Sequence, residues 1–147
     1  SYMVLPWELM KKWQERFRGY SCSVPSFEQY TLQRFMEEGY YERHLNRMKT
    51  IYRSRRDAIM QALEYPELRG IGMDAGLHFV LESRLGLSEA ELVERAVRAG
   101  VRVRGMSEYY AGGQDTAPYP RLIIGYGSYD EEALRTAAGL LLQAWKE

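Results

Sequence analysis

Few residues in this chain are placed to do chemistry. Arg121 follows a segment holding Gly112, Gly113, Pro118 and Pro120, and it opens the apolar run Leu122-Ile123-Ile124. A guanidinium presents a planar fork that matches a carboxylate through two parallel hydrogen bonds. At the mouth of a buried strand it faces either a cleft, where the fork can be used, or solvent, where it is an ordinary surface arginine. His78 sits between Leu77 and Phe79 in an alternating stretch. It could serve as a base, but a mid-strand histidine is more simply a partly buried, hydrogen-bonded side chain. Arg43, Arg47, Lys49, Arg53, Arg55 and Arg56 form a basic run with Tyr41, Met48 and Tyr52 interleaved. Such interleaving suits single-stranded nucleic acid. Most of these charges nevertheless lie off the apolar stripe, as on a solvated helix face. Arg56 falls close to the stripe, so it requires a carboxylate or carbonyl partner.

Other chemistries are excluded by spacing. Gly70-Ile71-Gly72 with Gly76 lacks dinucleotide-binding spacing, and a strand follows where a helix should begin. These are read as turn glycines. Gly125-Tyr126-Gly127 leads into Asp130, Glu131 and Glu132, which complement a helix dipole and repel phosphate. No Gly-x-Ser-x-Gly elbow is present. Cys22 is the single cysteine, which rules out an internal disulfide and leaves it as a small core or surface residue. With only His44 and His78 beside it, the inventory is poor for zinc.

The elements that must position these residues follow from patterning. The 147 residues are 46% hydrophobic and 27% charged, as in an ordinary single domain. Twenty basic and twenty acidic residues cancel, which argues against a chain-wide grip on nucleic acid. No apolar run is long enough to span a bilayer and no signal peptide is visible, so a soluble cytoplasmic chain is expected. Residues 1–5 read as a strand without a partner of its own. Leu9, Met10, Trp13, Phe17 and Tyr20 recur at helical spacing after Pro6 and make one helix side strongly aromatic. That side suits a surface of another domain or subunit. After a break at residues 21–25, Ser26 and Gln29 suggest a capping box opening a long helical arm over about 26–64, kinked at Gly39.

Residues 77–82 alternate as a strand. Ser88 and Glu91 cap a helix that ends at Gly100, Val101–Arg104 make a short strand, and Leu122–Ile124 make a strand apolar enough to be central. Ser128 and Glu131 cap the last helix. The expected class is α+β. A helical arm (1–64) precedes a small, mainly antiparallel three-stranded unit (65–147) ordered strand-helix-strand-strand-helix. The last strand lies between the other two, with both helices on one face.

Several stretches together resemble one family. Tyr2-Met-Val-Leu-Pro6, Ser26-Phe-Glu-Gln-Tyr30, Phe35-Met-Glu-Glu-Gly-Tyr-Tyr-Glu-Arg-His44 and Tyr52-Arg-Ser-Arg-Arg-Asp57 resemble class I aminotransferases and MocR-type regulators of the GntR family. Gly76-Leu-His-Phe79 and Ser107-Glu-Tyr-Tyr110 resemble the regulator branch. Pro120-Arg-Leu-Ile-Ile-Gly-Tyr-Gly127 resembles the segment bearing the arginine that binds the substrate carboxylate, which maps onto Arg121.

The resemblance implies the C-terminal small domain of a fold-type I protein. Pyridoxal phosphate would be held on a lysine of a large domain that is not among these residues, and DNA by a winged-helix domain likewise not among them. It also implies a homodimer, an amino acid or amine effector whose carboxylate, where it has one, Arg121 would hold, and Tyr109 and Tyr110 at the pocket rim. No role is implied for His78. A true aminotransferase, with Arg121 orienting its substrate, is the alternative. A free-standing regulatory or interaction module is a third reading.

Overall fold

The computed structural model describes residues 3–20, 24–74, 76–113 and 115–146. The chain divides into two units, Ser1–His44 and Leu45–Glu147. The first holds helices α1 (Trp7–Arg16) and α2 (Ser26–Glu37), and α3 (Tyr40–Ala62) begins within it. No residue of α1 or α2 is buried. Trp7 is 68% exposed and Trp13 44%, and Trp13, Phe17 and Tyr20 form a ladder of rings 5.6 and 5.8 Å apart. The arm breaks where expected, at Gly39, whose φ of +73° is a left-handed conformation that costs a glycine little.

Two expectations for this unit fail. Met3–Leu5 form no strand, and residues 1 and 2 lie outside the described set. The Ser26 capping box does not form either. Pro25 takes the cap position with extended backbone, Ser26 is already helical, and Gln29 Nε2 donates to Val24 O at 2.9 Å. The break at 21–25, with Cys22, falls mostly on residues 21–23 outside the described set.

The second unit carries the core. Its sheet comprises β1 (Leu68–Ile71), β2 (His78–Ser83), β3 (Arg104–Gly105) and β4 (Arg121–Gly125), in the order β1-β2-β4-β3 and antiparallel at every pairing. The last strand lies inside the sheet as its apolar run demands. The sheet has four strands rather than three, because Leu68–Ile71 pairs with Val80–Ser83. Gly70 is therefore a strand residue and not a turn glycine; a Cβ there would stand 2.7 Å from Met73 Sδ and 2.8 Å from Met60 Cε. Gly72 and Gly76 do turn the chain, at φ of +70° and +91°. The strand expected over 101–104 shrinks to Arg104–Gly105, since only those two residues pair with β4.

Side chains alternate across this sheet. Phe79 and Leu81 of β2 and Leu122 and Ile124 of β4 are at most 3% exposed. They pack with Ala96 and Leu92 of α4 (Glu89–Arg98), with Leu134, Ala138, Leu141 and Trp145 of α5 (Glu131–Lys146), and with Ile59 and Leu63. The sequence separates arm from α+β unit at residue 64, whereas the packing divides at His44/Leu45 because Ala58, Ile59 and Leu63 are drawn into this core. Trp145 Nε1 donates to Leu92 O at 2.9 Å, joining the two helices inside the core.

The Ser88–Glu91 capping box is fully formed. At α5 the cap is instead Asp130, whose Oδ1 accepts from Ala133 N at 2.9 Å, and Ser128 lies too early. A carboxylate two residues closer to the helix competes better for its free N–H groups.

Candidate functional site

The face of the sheet away from the core is open, and pleating puts a defined set of side chains on it. Ile71, Val80, Ile123 and Arg104 are register neighbours across the four strands, and Arg69, Glu82 and Arg121 form the adjacent row. Arg121 is thus held at the first residue of β4, anchored from beneath by fully buried Leu122 and from the side where Ser83 N donates to Pro120 O at 3.0 Å.

The Arg121 fork grips a carboxylate of this same chain. Nε donates to Asp115 Oδ2 at 2.7 Å, and one terminal nitrogen donates to Asp115 Oδ1. The same nitrogen reaches Tyr110 Oη at 3.1 Å. Ala117 N donates to Asp115 Oδ1 at 3.0 Å, so the acid is held from its own segment too. Asp115 is the more covered partner, with 8% of its side chain exposed against 24% for Arg121. The hydrogen bond from Arg121 holds the Asp115 carboxyl below the usual 3.8, and the same bond raises the guanidinium further above its already high range.

These shifts fix a pH response. The folded-state pKa of Asp115 is lowered, so its contribution to stability is fully present above the ordinary carboxylate range and lost as pH falls through that range toward the lowered value. The gap in urea midpoint between wild type and Asp115→Asn is therefore expected to be constant above about pH 5 and to close on acidification below about pH 4. A gap that widens on acidification would contradict this.

Tyr109 and Tyr110 part company. Tyr110 touches Arg121, whereas Tyr109, 56% exposed, lines a cleft of about 610 Å³ on the open face with His78, Val80, Arg102, Arg104 and Tyr129. His78 does not match its sequence reading. It opens β2 rather than sitting in its middle, is exposed, and makes no side-chain hydrogen bond among the described residues. Position at the strand end removes the burial that would have demanded a partner. The short helix Met106–Tyr109, which Tyr110 caps, is clamped by Glu89, which accepts from Ser107 N at 3.2 Å and from the Ser107 hydroxyl. A Cβ on Gly105 would collide with that same Glu89 carboxylate, so a side chain there would have to displace the clamp.

The basic run is partly structural. Arg56 donates to Met73 O at 2.9 Å and pairs with Asp57 at 2.7 Å, as its place near the apolar stripe required. Arg55 does likewise to Gly127 O at 2.6 Å, a tie the sequence reading missed. Asp115 was also missed. Its only signal is that it is the sole acidic residue between Glu108 and Asp130, beside an arginine that opens a buried strand. Among the described residues no cluster could hold a metal ion, and no helix is long and apolar enough to cross a membrane.

No family model matches this chain. It is 32% identical over 149 residues to the HTH-type transcriptional regulator YdeL and 31% to the regulator YhdI, both of Bacillus subtilis (strain 168), in each case over 99% of this chain. The pyridoxine biosynthesis regulator PdxR of Corynebacterium glutamicum is 29% identical over 116 residues, covering 76% of the chain. The chain spans about a third of the length of the first two, at 32% and 31%.

Among solved structures, the kynurenine aminotransferase of Pyrococcus horikoshii superposes with a TM-score of 0.77 at 20% identity, covering 95% of this chain and 34% of that one. The α-aminoadipate aminotransferase LysN of Thermus thermophilus gives 0.72 at 25% identity, covering 95% and 36%. Nearly the whole chain is thus similar to about a third of two HTH-type transcriptional regulators, and its fold is similar to part of the solved aminotransferases.

Proposed function

We propose that this chain is the effector-facing C-terminal small domain of a MocR-type regulator of the GntR family. The observation that carries the reading is Arg121, a rigidly seated fork on the open face of an aminotransferase-like sheet, gripping a carboxylate. In this reading Arg121 takes the carboxylate of an amino acid effector, and Tyr110 supports the guanidinium. A ligand that binds one arrangement of the domains better than another shifts the balance between them, and a DNA-binding domain elsewhere in the protein reads out the shift. The protein would act as a cytoplasmic homodimer.

Pyridoxal phosphate does not fit the residues of this chain. The aminotransferase solved from Pyrococcus horikoshii is in complex with PMP. Here the four lysines, Lys11, Lys12, Lys49 and Lys146, are all exposed on helices, and none contacts Arg121. The cofactor would be held by residues outside this chain. Accordingly, borohydride treatment of this chain with pyridoxal phosphate is expected to give only scattered, substoichiometric labelling. A stoichiometric adduct on one lysine would contradict the assignment.

The enzyme reading retains one supporting observation, that the matched solved structures are aminotransferases. The two readings separate by assay. The intact protein is titrated with standard L-amino acids while its affinity for its own upstream DNA is followed, beside a multiple-turnover assay for amino-group transfer. A regulator changes DNA affinity at saturating amino acid without sustained turnover. Sustained turnover with unchanged DNA affinity would overturn the proposal.

A further inference from the structure

The carboxylate in the Arg121 fork is carried by a segment outside the strands, which returns to the sheet at its far end, where Ser83 N donates to Pro120 O. Residues 115–120 form no strand or helix, and they follow Gly112 and Gly113, at φ of +103° and +68°. Arg121, in contrast, is fixed by β4 pairing to β2. The acid therefore sits on the adaptable side of the pair and the base on the rigid side. The contact is a fork-to-fork geometry with an extra donor from Ala117 N, the arrangement a ligand carboxylate would adopt.

Ordinary surface ion pairs leave both partners exposed. Here the acid is almost covered, so its removal from Arg121 requires its replacement by another anion or its transfer to water. No other acidic residue lies between Glu108 and Asp130, and Glu82, the register neighbour of Arg121, turns its carboxylate to Arg84 at 3.5 Å.

We propose that Asp115 is an internal competitor for ligand carboxylates at Arg121, so that an effector binds only by exchanging its own carboxylate for that of Asp115. This rests on the reading of Arg121 as the effector site and adds the residue that sets its selectivity. An exchange of one fork-bound carboxylate for another is nearly balanced, so the ligand's remaining contacts decide the outcome. An amine without a carboxylate cannot drive it. The fork is available only in the fraction of molecules in which Asp115 has left, and the affinity for a carboxylate falls by that fraction.

The experiment is a titration of this chain with sodium acetate, using methylammonium chloride as the ionic control, followed by the Arg121 Nε–Hε signal in a nitrogen-15 NMR spectrum. Arg121→Lys assigns the signal by its disappearance. Asp115→Asn and Asp115→Ala are compared with wild type, with the amides of Leu122 and Ile124 reporting that β4 is intact. An acid that holds the fork nine-tenths of the time predicts that both variants bind acetate about tenfold more tightly than wild type. Equal acetate affinity in wild type and both variants would overturn the competitor while leaving Arg121 as a carboxylate site. No acetate response at Arg121 in any of the three proteins would overturn the reading of Arg121 itself, and the competitor with it.

Discussion

Trp145→Ala is expected to destabilise the Leu45–Glu147 unit by about 3–5 kcal/mol, the usual loss for truncating a buried large aromatic. Trp145 is 3% exposed in the last turn of α5, and its indole N–H is satisfied inside the core by Leu92 O on α4. Alanine removes the ring that fills the space between the two helices and the hydrogen bond that joins them. Against a total stability of about 5–15 kcal/mol this is a large fraction. Trp145→Phe keeps most of the apolar volume and loses the hydrogen bond, so it should cost about 1–2 kcal/mol. Urea denaturation followed by circular dichroism measures both. Trp7 and Trp13 are exposed, so the blue-shifted part of the tryptophan emission should vanish with Trp145. A loss under about 1.5 kcal/mol for Trp145→Ala would show that α5 is not fastened to α4 through this side chain.

The second large effect concerns ligand binding by the intact protein. Two parallel charge-assisted hydrogen bonds are worth roughly 1.5–3 kcal/mol each. Removing them outright would weaken a carboxylate ligand by more than a hundredfold. The observed loss in Arg121→Ala should be smaller, between about tenfold and a thousandfold, because wild type must first give up Asp115. Arg121→Lys keeps the charge but loses the fork, so it should fall between the two. Both substitutions also strip Asp115 of its bidentate partner. A fall in thermal stability should therefore accompany each, and combining either with Asp115→Asn should recover part of it.

How far the sequence spoke depended on whether a signal was local. The alternation from Leu77 to Glu82 names a strand because pleating converts it directly into two faces, and Phe79 and Leu81 are indeed in the core. Leu122–Ile124 name a strand, and β4 is flanked by β2 and β3, with Leu122 and Ile124 turned to the core and Ile123 half-buried on the other face. Ser88 and Glu91 form their capping box because no stronger cap competes nearby. Ser26 and Ser128 carry the same pattern and fail, one displaced by Pro25 and the other by Asp130.

β1 was hidden because Arg69 and Gly70 give a poor strand signal, and only pairing with β2 makes it one. At the site, Arg121 was legible as an arginine where a buried strand begins. Its partner was not, because which residue of a glycine- and proline-rich segment returns to that arginine is a matter of three-dimensional closure. His78 shows the reverse error. A residue flanked by apolar neighbours reads as buried, yet a strand end lies at the surface.

In the proposed reading, Arg121 recognises a carboxylate in a ligand-sensing domain. The most direct measurement is a thermodynamic cycle on the intact protein, comparing one effective amino acid with the amine obtained by removing its carboxylate, in wild type and in Arg121→Ala. Wild type is expected to prefer the amino acid by at least about tenfold, and Arg121→Ala to lose the preference and bind both ligands about as weakly as wild type binds the amine. An unchanged preference for the amino acid in Arg121→Ala would contradict it and leave Arg121 as the structural partner of Asp115 alone.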